Sequence, residues 1–207
     1  MNRALQWGVT SATVILLCIF SYNFADIKTA LWFHSLGTPW FYELFEIITF
    51  FGDSFAYLTG GILLYVVFKK TRTHAAYAGL FLFTTVAVSG LSADLFKFIC
   101  GRARPNLFFD KHLYGFAFFQ LEKAWTSFPS GHSATALSVA MVVALLYPRW
   151  KTIALFAGFM VAFSRIVLTQ HYISDVLAGS FLGIASTILL YNHYFKSKSD
   201  ASETIKI

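Results

Sequence analysis

The stretch Ser164-Arg165-Ile166-Val167-Leu168-Thr169-Gln170-His171-Tyr172-Ile173-Ser174-Asp175 ends one apolar segment and begins the next. It places an arginine, a histidine and an aspartate where the flanking sequence is otherwise suited to lipid. If the backbone turns helical from about residue 170, His171 and Asp175 fall one turn apart on one face, and the carboxylate can accept the proton of one imidazole nitrogen. The other nitrogen then keeps a free lone pair and can act as a base, a nucleophile or a metal ligand. Arg165 adds a fixed cation six residues before the histidine. The same residues equally suit an interfacial aromatic pair, a first-turn acid and a snorkelling arginine, so the rest of the chain decides between the two readings.

Only 13% of the 207 residues are charged, against 57% hydrophobic and 19% aromatic, and the mean hydropathy is +0.62. Such a chain has too little polar surface to cover a soluble domain of its size and reads as an all-α integral membrane protein. The net charge of +6 fits the excess of Lys and Arg that orients membrane helices, and no long basic run argues for nucleic acid. Cys18 and Cys100 lie in apolar stretches without metal-ligand spacing, and nothing pairs them.

Apolar stretches at residues 7–24, 54–68, 75–99, 133–147, 152–169 and 173–194 predict six transmembrane helices in one polytopic domain, residues 1–195. A hydrophilic, disordered tail is expected over 196–207. The first stretch reads as a retained helix, because no small-x-small cleavage site follows it. Residues 25–53 form a polar-aromatic interlude. Within it Trp40, Leu44, Ile47, Ile48 and Phe51 repeat at helical spacing with Glu43 and Glu46 to one side, the pattern of a short interfacial helix or of a lead-in to the next span. Six spans put the N-terminus, the Lys69 loop, the Arg149 loop and the tail on one side with nine Lys and Arg, against seven opposite. Both termini are therefore expected in the cytoplasm, and residues 97–105, 128–132 and 165–175 share the other face.

Lys97, Arg102 and Arg104 gather at a helix exit that Pro105 closes, and Asp94 is placed to pair with Lys97. Pro129-Ser130-Gly131-His132 opens the fourth span. Ser130 suits an N-cap, and Gly131 lets a ligand approach the free backbone N–H groups of a helix start, which makes an anion site. Each piece has a plain structural reading alone, as snorkelling cations or a simple cap. Together they supply Lys97, Arg104 and Arg165 as cations, a helix N-terminus and two histidines, one with its own carboxylate. Phosphoryl transfer needs this inventory. A cation in a membrane costs about 2.5 to 3.5 kcal/mol even on the lenient scale, and charge-assisted bonds to a phosphate, about 1.5 to 3 kcal/mol each, can offset it. The residues alone leave open which histidine attacks.

The spacing Lys, six residues, Arg-Pro; Pro-Ser-Gly-His; Ser-Arg, five residues, His, three residues, Asp resembles the type 2 phosphatidic acid phosphatase (PAP2) superfamily. The resemblance covers roughly half the chain, with the three motifs complete and in order. It implies a six-helix membrane phosphatase with a PAP2-type helical bundle core and a site at the outer face. His171 resembles the nucleophile that forms a phosphohistidine, Asp175 its orienting carboxylate, and His132 the general acid. Lys97, Arg104, Ser130, Gly131 and Arg165 match the phosphate-holding positions, with no metal and no other cofactor. The implied substrate is a lipid phosphate or pyrophosphate: undecaprenyl pyrophosphate, phosphatidylglycerophosphate, phosphatidic acid or a lipid A phosphate. The setting is the bacterial inner membrane with the site toward the periplasm, membrane lipids as neighbours, no nucleic acid and no obligate protein partner. A lipid-to-lipid phosphotransferase and a non-catalytic lipid-phosphate binder or transporter are the alternatives. The loop 106–125, with Asp110, Lys111, His112, Glu122 and Lys123, is the first place to expect headgroup contacts.

Overall fold

A computed structural model describes residues 2–196, so the expected tail beyond Lys196 lies outside the described residues. Nine α-helices follow one another, with no β-strand among the described residues. They are α1 (Arg3–Phe24), α2 (Asp26–Ser35), α3 (Pro39–Phe50), α4 (Ser54–Phe68), α5 (Thr73–Cys100), α6 (Pro105–Lys111), α7 (Gly131–Leu146), α8 (Lys151–Val167) and α9 (Ile173–Leu190). A π-helical turn, Tyr191–Phe195, continues α9.

Five apolar helical segments are long enough to cross a bilayer: Arg3–Phe24, Pro39–Phe68, Thr73–Cys100, Pro148–Val167 and Ile173–Phe195. The sixth expected span, α7, has only 16 residues, about 24 Å of helix against a hydrocarbon core of roughly 30 Å. Its Ser130 cap fixes one end and Tyr147-Pro148 the other. The chain is a multi-pass membrane protein with one short central helix.

That short helix organises the bundle. α7 touches α5, α8 and α9, while α4 lies on α5 and α1 on α9. Its buried residues include Ala134, Ala136, Ser138 and Ala140, small enough for neighbouring backbones to come close. A Cβ on Gly179 would run into the Ser130 carbonyl, and one on Gly183 into the Ala134 carbonyl, so α7 and α9 meet backbone to backbone.

Within residues 25–53 the expected short helix is α3, which leads into α4 as part of the span-length segment Pro39–Phe68. α3 turns Phe41, Phe45 and Ile48 inward, toward a cluster that contains Phe33, Phe163, Ile166 and Val167. Trp40, Leu44, Ile47 and Phe51 of the apolar stripe are 68%, 46%, 66% and 58% exposed, as residues facing lipid would be. Because α3 is apolar almost all round, periodicity cannot choose its buried face. Aromatic contact does, with the Phe45 and Phe163 rings 5.9 Å apart. Glu43 and Glu46 are exposed, as their spacing suggests.

Candidate active site

Gly101 ends α5 in the left-handed conformation at φ 55°, which only glycine adopts without strain, and sends the chain back inward. Arg102 is consequently 1% exposed. Its Nη2 donates to Asp26 Oδ2 at 2.7 Å, and its Nη1 donates to Ser174 Oγ at 2.7 Å and to Asp175. Asp26 also accepts from Ser21 Oγ at 2.6 Å and from the Ser174 N–H at 3.1 Å. The rings of Tyr22, Tyr114, Phe116 and Tyr172 enclose the guanidinium at 4.7 to 5.5 Å. Burial works against the charge of Arg102, but Asp175 and Asp26 outweigh it and hold the group above the ordinary arginine range.

The expected helical pairing of His171 with Asp175 takes a different form. Tyr172 is extended, with φ −81° and ψ 165°, so α9 begins at Ile173 and His171 precedes it. Asp175 instead closes a capping box, accepting from the Tyr172 N–H at 2.9 Å, and takes a second bond from Ser127 Oγ at 2.6 Å. His171 Nδ1 bonds the Ser127 carbonyl at 2.8 Å. A carbonyl only accepts, so the proton sits on Nδ1 and the lone pair on Nε2. Asp175 Oδ2 lies 3.6 Å from Nδ1, beyond hydrogen-bond reach, and acts on the ring through its charge. Burial pushes the His171 imidazolium down to about 3, with Arg104 and Arg165 adding to the effect and Asp175 opposing it. The ring is therefore neutral at physiological pH.

The cations arrive from three elements. Lys97 Nζ bonds Asp94 at 2.8 Å, as expected, and sits over Gly131, where a Cβ would come within 3.1 Å of it. Arg104 donates to the carbonyls of Lys123, Gln170 and Thr126 at 2.9, 3.3 and 3.2 Å, tying the loop after α5 to the one before α9. Arg165 is 8% exposed, with Nη1 on Thr49 Oγ1 at 2.7 Å and Nε unpartnered. Its carbonyl accepts the Gln170 and His171 N–H groups, a closure that holds β-branched Thr169 at φ 49°.

Ser130 is the expected N-cap, but it is fully buried and its Oγ accepts from the Ser133 N–H and hydroxyl at 3.3 and 2.9 Å. The exposed donors of this helix start are therefore the Gly131 and His132 N–H groups. His132 stands within electrostatic reach of Arg165, Asp53, Lys97 and Arg104, and its ring lies against Gly52, where a Cβ would come within 2.9 Å of Cδ2. All eight residues singled out from the sequence thus converge at one end of the bundle.

Asp26, Thr49, Gly52, Ser127 and Ser174 were not legible as parts of this arrangement, and Arg102 was seen only as one more cation. A lone carboxylate between apolar stretches was the available signal for Asp26. In the loop, Glu122 and Lys123 line a polar cavity of about 390 Å³ with Arg104 and Gln170, whereas Asp110, Lys111 and His112 do not.

The PAP2 superfamily profile matches residues 78–199. A lipid A 1-phosphatase of Rhizobium etli is 39% identical over 153 residues, 68% of this chain and 66% of that protein. One from Rhizobium johnstonii is 37% identical over 159 residues, 71% and 65% of the two chains. The chain thus spans just under two thirds of the length of these relatives. In fold it is similar to the crystal structure of a transmembrane PAP2 type phosphatidylglycerolphosphate phosphatase from Bacillus subtilis, with TM-score 0.64 and 21% identity over 90% of this chain and 94% of that one. Asp26, Thr49 and Gly52 lie outside the residues matched by the profile, which nonetheless takes in more than half of the sequence. With that match, and with its motif residues drawn together at one end of a helical bundle, this chain belongs to the PAP2 superfamily.

Proposed function

We propose that this chain is a metal-independent lipid phosphatase of the bacterial inner membrane, working through a phosphohistidine on His171 at the periplasmic face. The observation that carries the reading is the fixed tautomer of His171, whose Nδ1 is committed to the Ser127 carbonyl while Nε2 keeps its lone pair, with Arg104 and Arg165 within electrostatic reach of the ring. Nε2 attacks phosphorus, the bond from phosphorus to the lipid oxygen breaks, and His132, protonated against the charge of the bound phosphate, delivers that proton to the oxygen. Water then attacks phosphorus, the bond from phosphorus to Nε2 breaks, His132 takes up the proton the water loses, and inorganic phosphate leaves. Lys97, Arg104, Arg165 and the N–H groups at the start of α7 balance the charge on the transferring oxygens.

The test is phosphate release by the detergent-purified protein, with chelator present, from lipid A 1-phosphate, undecaprenyl pyrophosphate, phosphatidylglycerophosphate and phosphatidic acid. Two relatives named lipid A 1-phosphatase put that lipid first on the panel. Release from one lipid supports the reading, and release from none overturns it. If phosphate appears only on an added second lipid, the chain is a phosphotransferase.

Two further results are expected. Thr49→Val removes the hydroxyl that accepts from Arg165 at 2.7 Å. The guanidinium is then no longer aimed, and KM should rise about tenfold, the worth of one charged hydrogen bond. kcat should change less, Thr49→Ser should restore KM, and an unchanged KM in Thr49→Val would show that Arg165 needs no such support.

The second concerns acid. The unfolded chain protonates His171 near the usual histidine value of about 6.5, while the folded chain does so only at about 3. Protons therefore favour the unfolded chain as pH falls through that window, and the His171 contribution to stability is complete only above it. Thermal midpoints should fall from neutral toward acid pH in the wild type and fall less in His171→Ala. Parallel curves for the two proteins would contradict the neutral ring.

A further inference from the structure

Three cavities surround the site, and in-line chemistry decides which of them holds the lipid. The entering Nε2 and the departing oxygen must lie on opposite sides of phosphorus, and the departing oxygen carries the lipid. On the mechanism proposed above, the lipid therefore leaves on the side of His132, away from His171. The cavity beside Arg104 and Lys123 sets charged Arg104, Glu122 and Lys123 in its wall, which suits a headgroup better than a hydrocarbon chain. A second cavity, about 530 Å³ between α1 and α9, ends on Ser174 and on Arg102, which bonds Asp175 and so stands behind His171.

The third, about 580 Å³, begins where the mechanism requires. Gly52 brings the turn between α3 and α4 against His132, and a Cβ there would also come within 3.0 Å of Val161. Val161 and the neighbouring Phe51 form the near end of this cavity. From there it runs as a trench between α4 and α8, past Ala136 to Val143 on α7 and past Val161 to Ala154 on α8. Those stretches are each about 10 Å long at the helical rise. No charged residue lines it, and the Tyr57 hydroxyl beside it is committed to the Phe51 carbonyl at 2.8 Å. Its floor stays open because the residues there are small, with Gly158 so close to α7 that a Cβ would come within 2.9 Å of that of Ala140.

We propose that this trench holds one hydrocarbon chain of the departing lipid, acyl or prenyl, with the phosphate at His132 and the chain running down between α4 and α8. The proposal rests on the phosphatase reading for its direction, but it can be tested through binding as well as turnover.

The probes are butyl phosphate and hexadecyl phosphate, which differ only in chain length. Wild-type protein in detergent should bind and hydrolyse hexadecyl phosphate in preference to butyl phosphate. Ala157 lines the trench and is exposed, so Ala157→Trp fills the space without disturbing the core. That variant should lose at least about tenfold of the preference, roughly what two buried methylenes contribute, while handling butyl phosphate as the wild type does. Ile15→Trp fills the cavity beside α1 instead and should leave the preference intact. An unchanged preference in Ala157→Trp, an equal loss on both probes, or a loss confined to Ile15→Trp would overturn the assignment. If wild type binds both phosphates and releases phosphate from neither, the phosphatase reading fails while the binding preference still judges the trench.

Discussion

His171→Ala is expected to lower phosphate release by about four orders of magnitude or more, the scale on which removing a covalent nucleophile acts. Lipid binding should survive, because each cation is held from elsewhere. Lys97 is fixed by Asp94, Arg104 by three loop carbonyls and Arg165 by Thr49. The substitution does leave the buried Ser127 carbonyl without its imidazole partner, so a stability loss of about 1 to 3 kcal/mol should accompany it. The measurement is turnover beside equilibrium binding of a labelled lipid phosphate. Loss of turnover with retained binding assigns the attack to His171, whereas turnover near the wild-type rate would move it to another group.

Arg102→Met should have the largest effect on folding. It removes the only cation bonded to Asp26 and Asp175 among the described residues, leaving two carboxylates at 1% and 0% exposure without their ion pairs. Breaking a buried ion pair on one side costs about 3 to 5 kcal/mol, because the abandoned charge stays in a medium that solvates it poorly. The thermal midpoint in detergent should fall by roughly 10 °C. Adding Asp26→Asn removes one of the stranded charges and should recover part of that loss, which a simple packing defect would not allow. A wild-type midpoint in Arg102→Met would mean that the cluster contributes nothing to folding.

What could be read from the sequence, and what could not, follows from the range of the interactions involved. The helix exit at Lys97, the cap at Ser130 and the approach to His171 are local, so spacing reveals them. Asp26 reaches Ser174 across 148 positions, and Thr49 reaches Arg165 across 116. No periodicity connects residues so far apart. The pairing of His171 with Asp175 was misjudged for a local reason. Both residues lie where i and i+4 suggest one turn, but Tyr172 adopts an extended cap conformation and Asp175 is used to start the helix. The histidine is then oriented by Ser127, whose hydroxyl answers to Asp175 and whose carbonyl answers to His171. The protein-facing side of α3 is hidden for another reason: apart from Glu43 and Glu46 the helix is apolar, so the hydrophobic pattern does not separate a lipid-facing side from a packed one.

The contact of α7 and α9 through Gly179 and Gly183 bears on how the protein meets its surroundings. His132 stands on the first turn of α7 and His171 immediately before α9, and no compressible side-chain layer separates the two helices where Ser130 and Ala134 meet those glycines. A bilayer that thickens or thins exerts its strain by tilting helices and drawing on their flanking residues. His132 and His171 ride on one rigid joint, so such strain moves them together, and the interval between them stays insulated from the mechanics of the membrane.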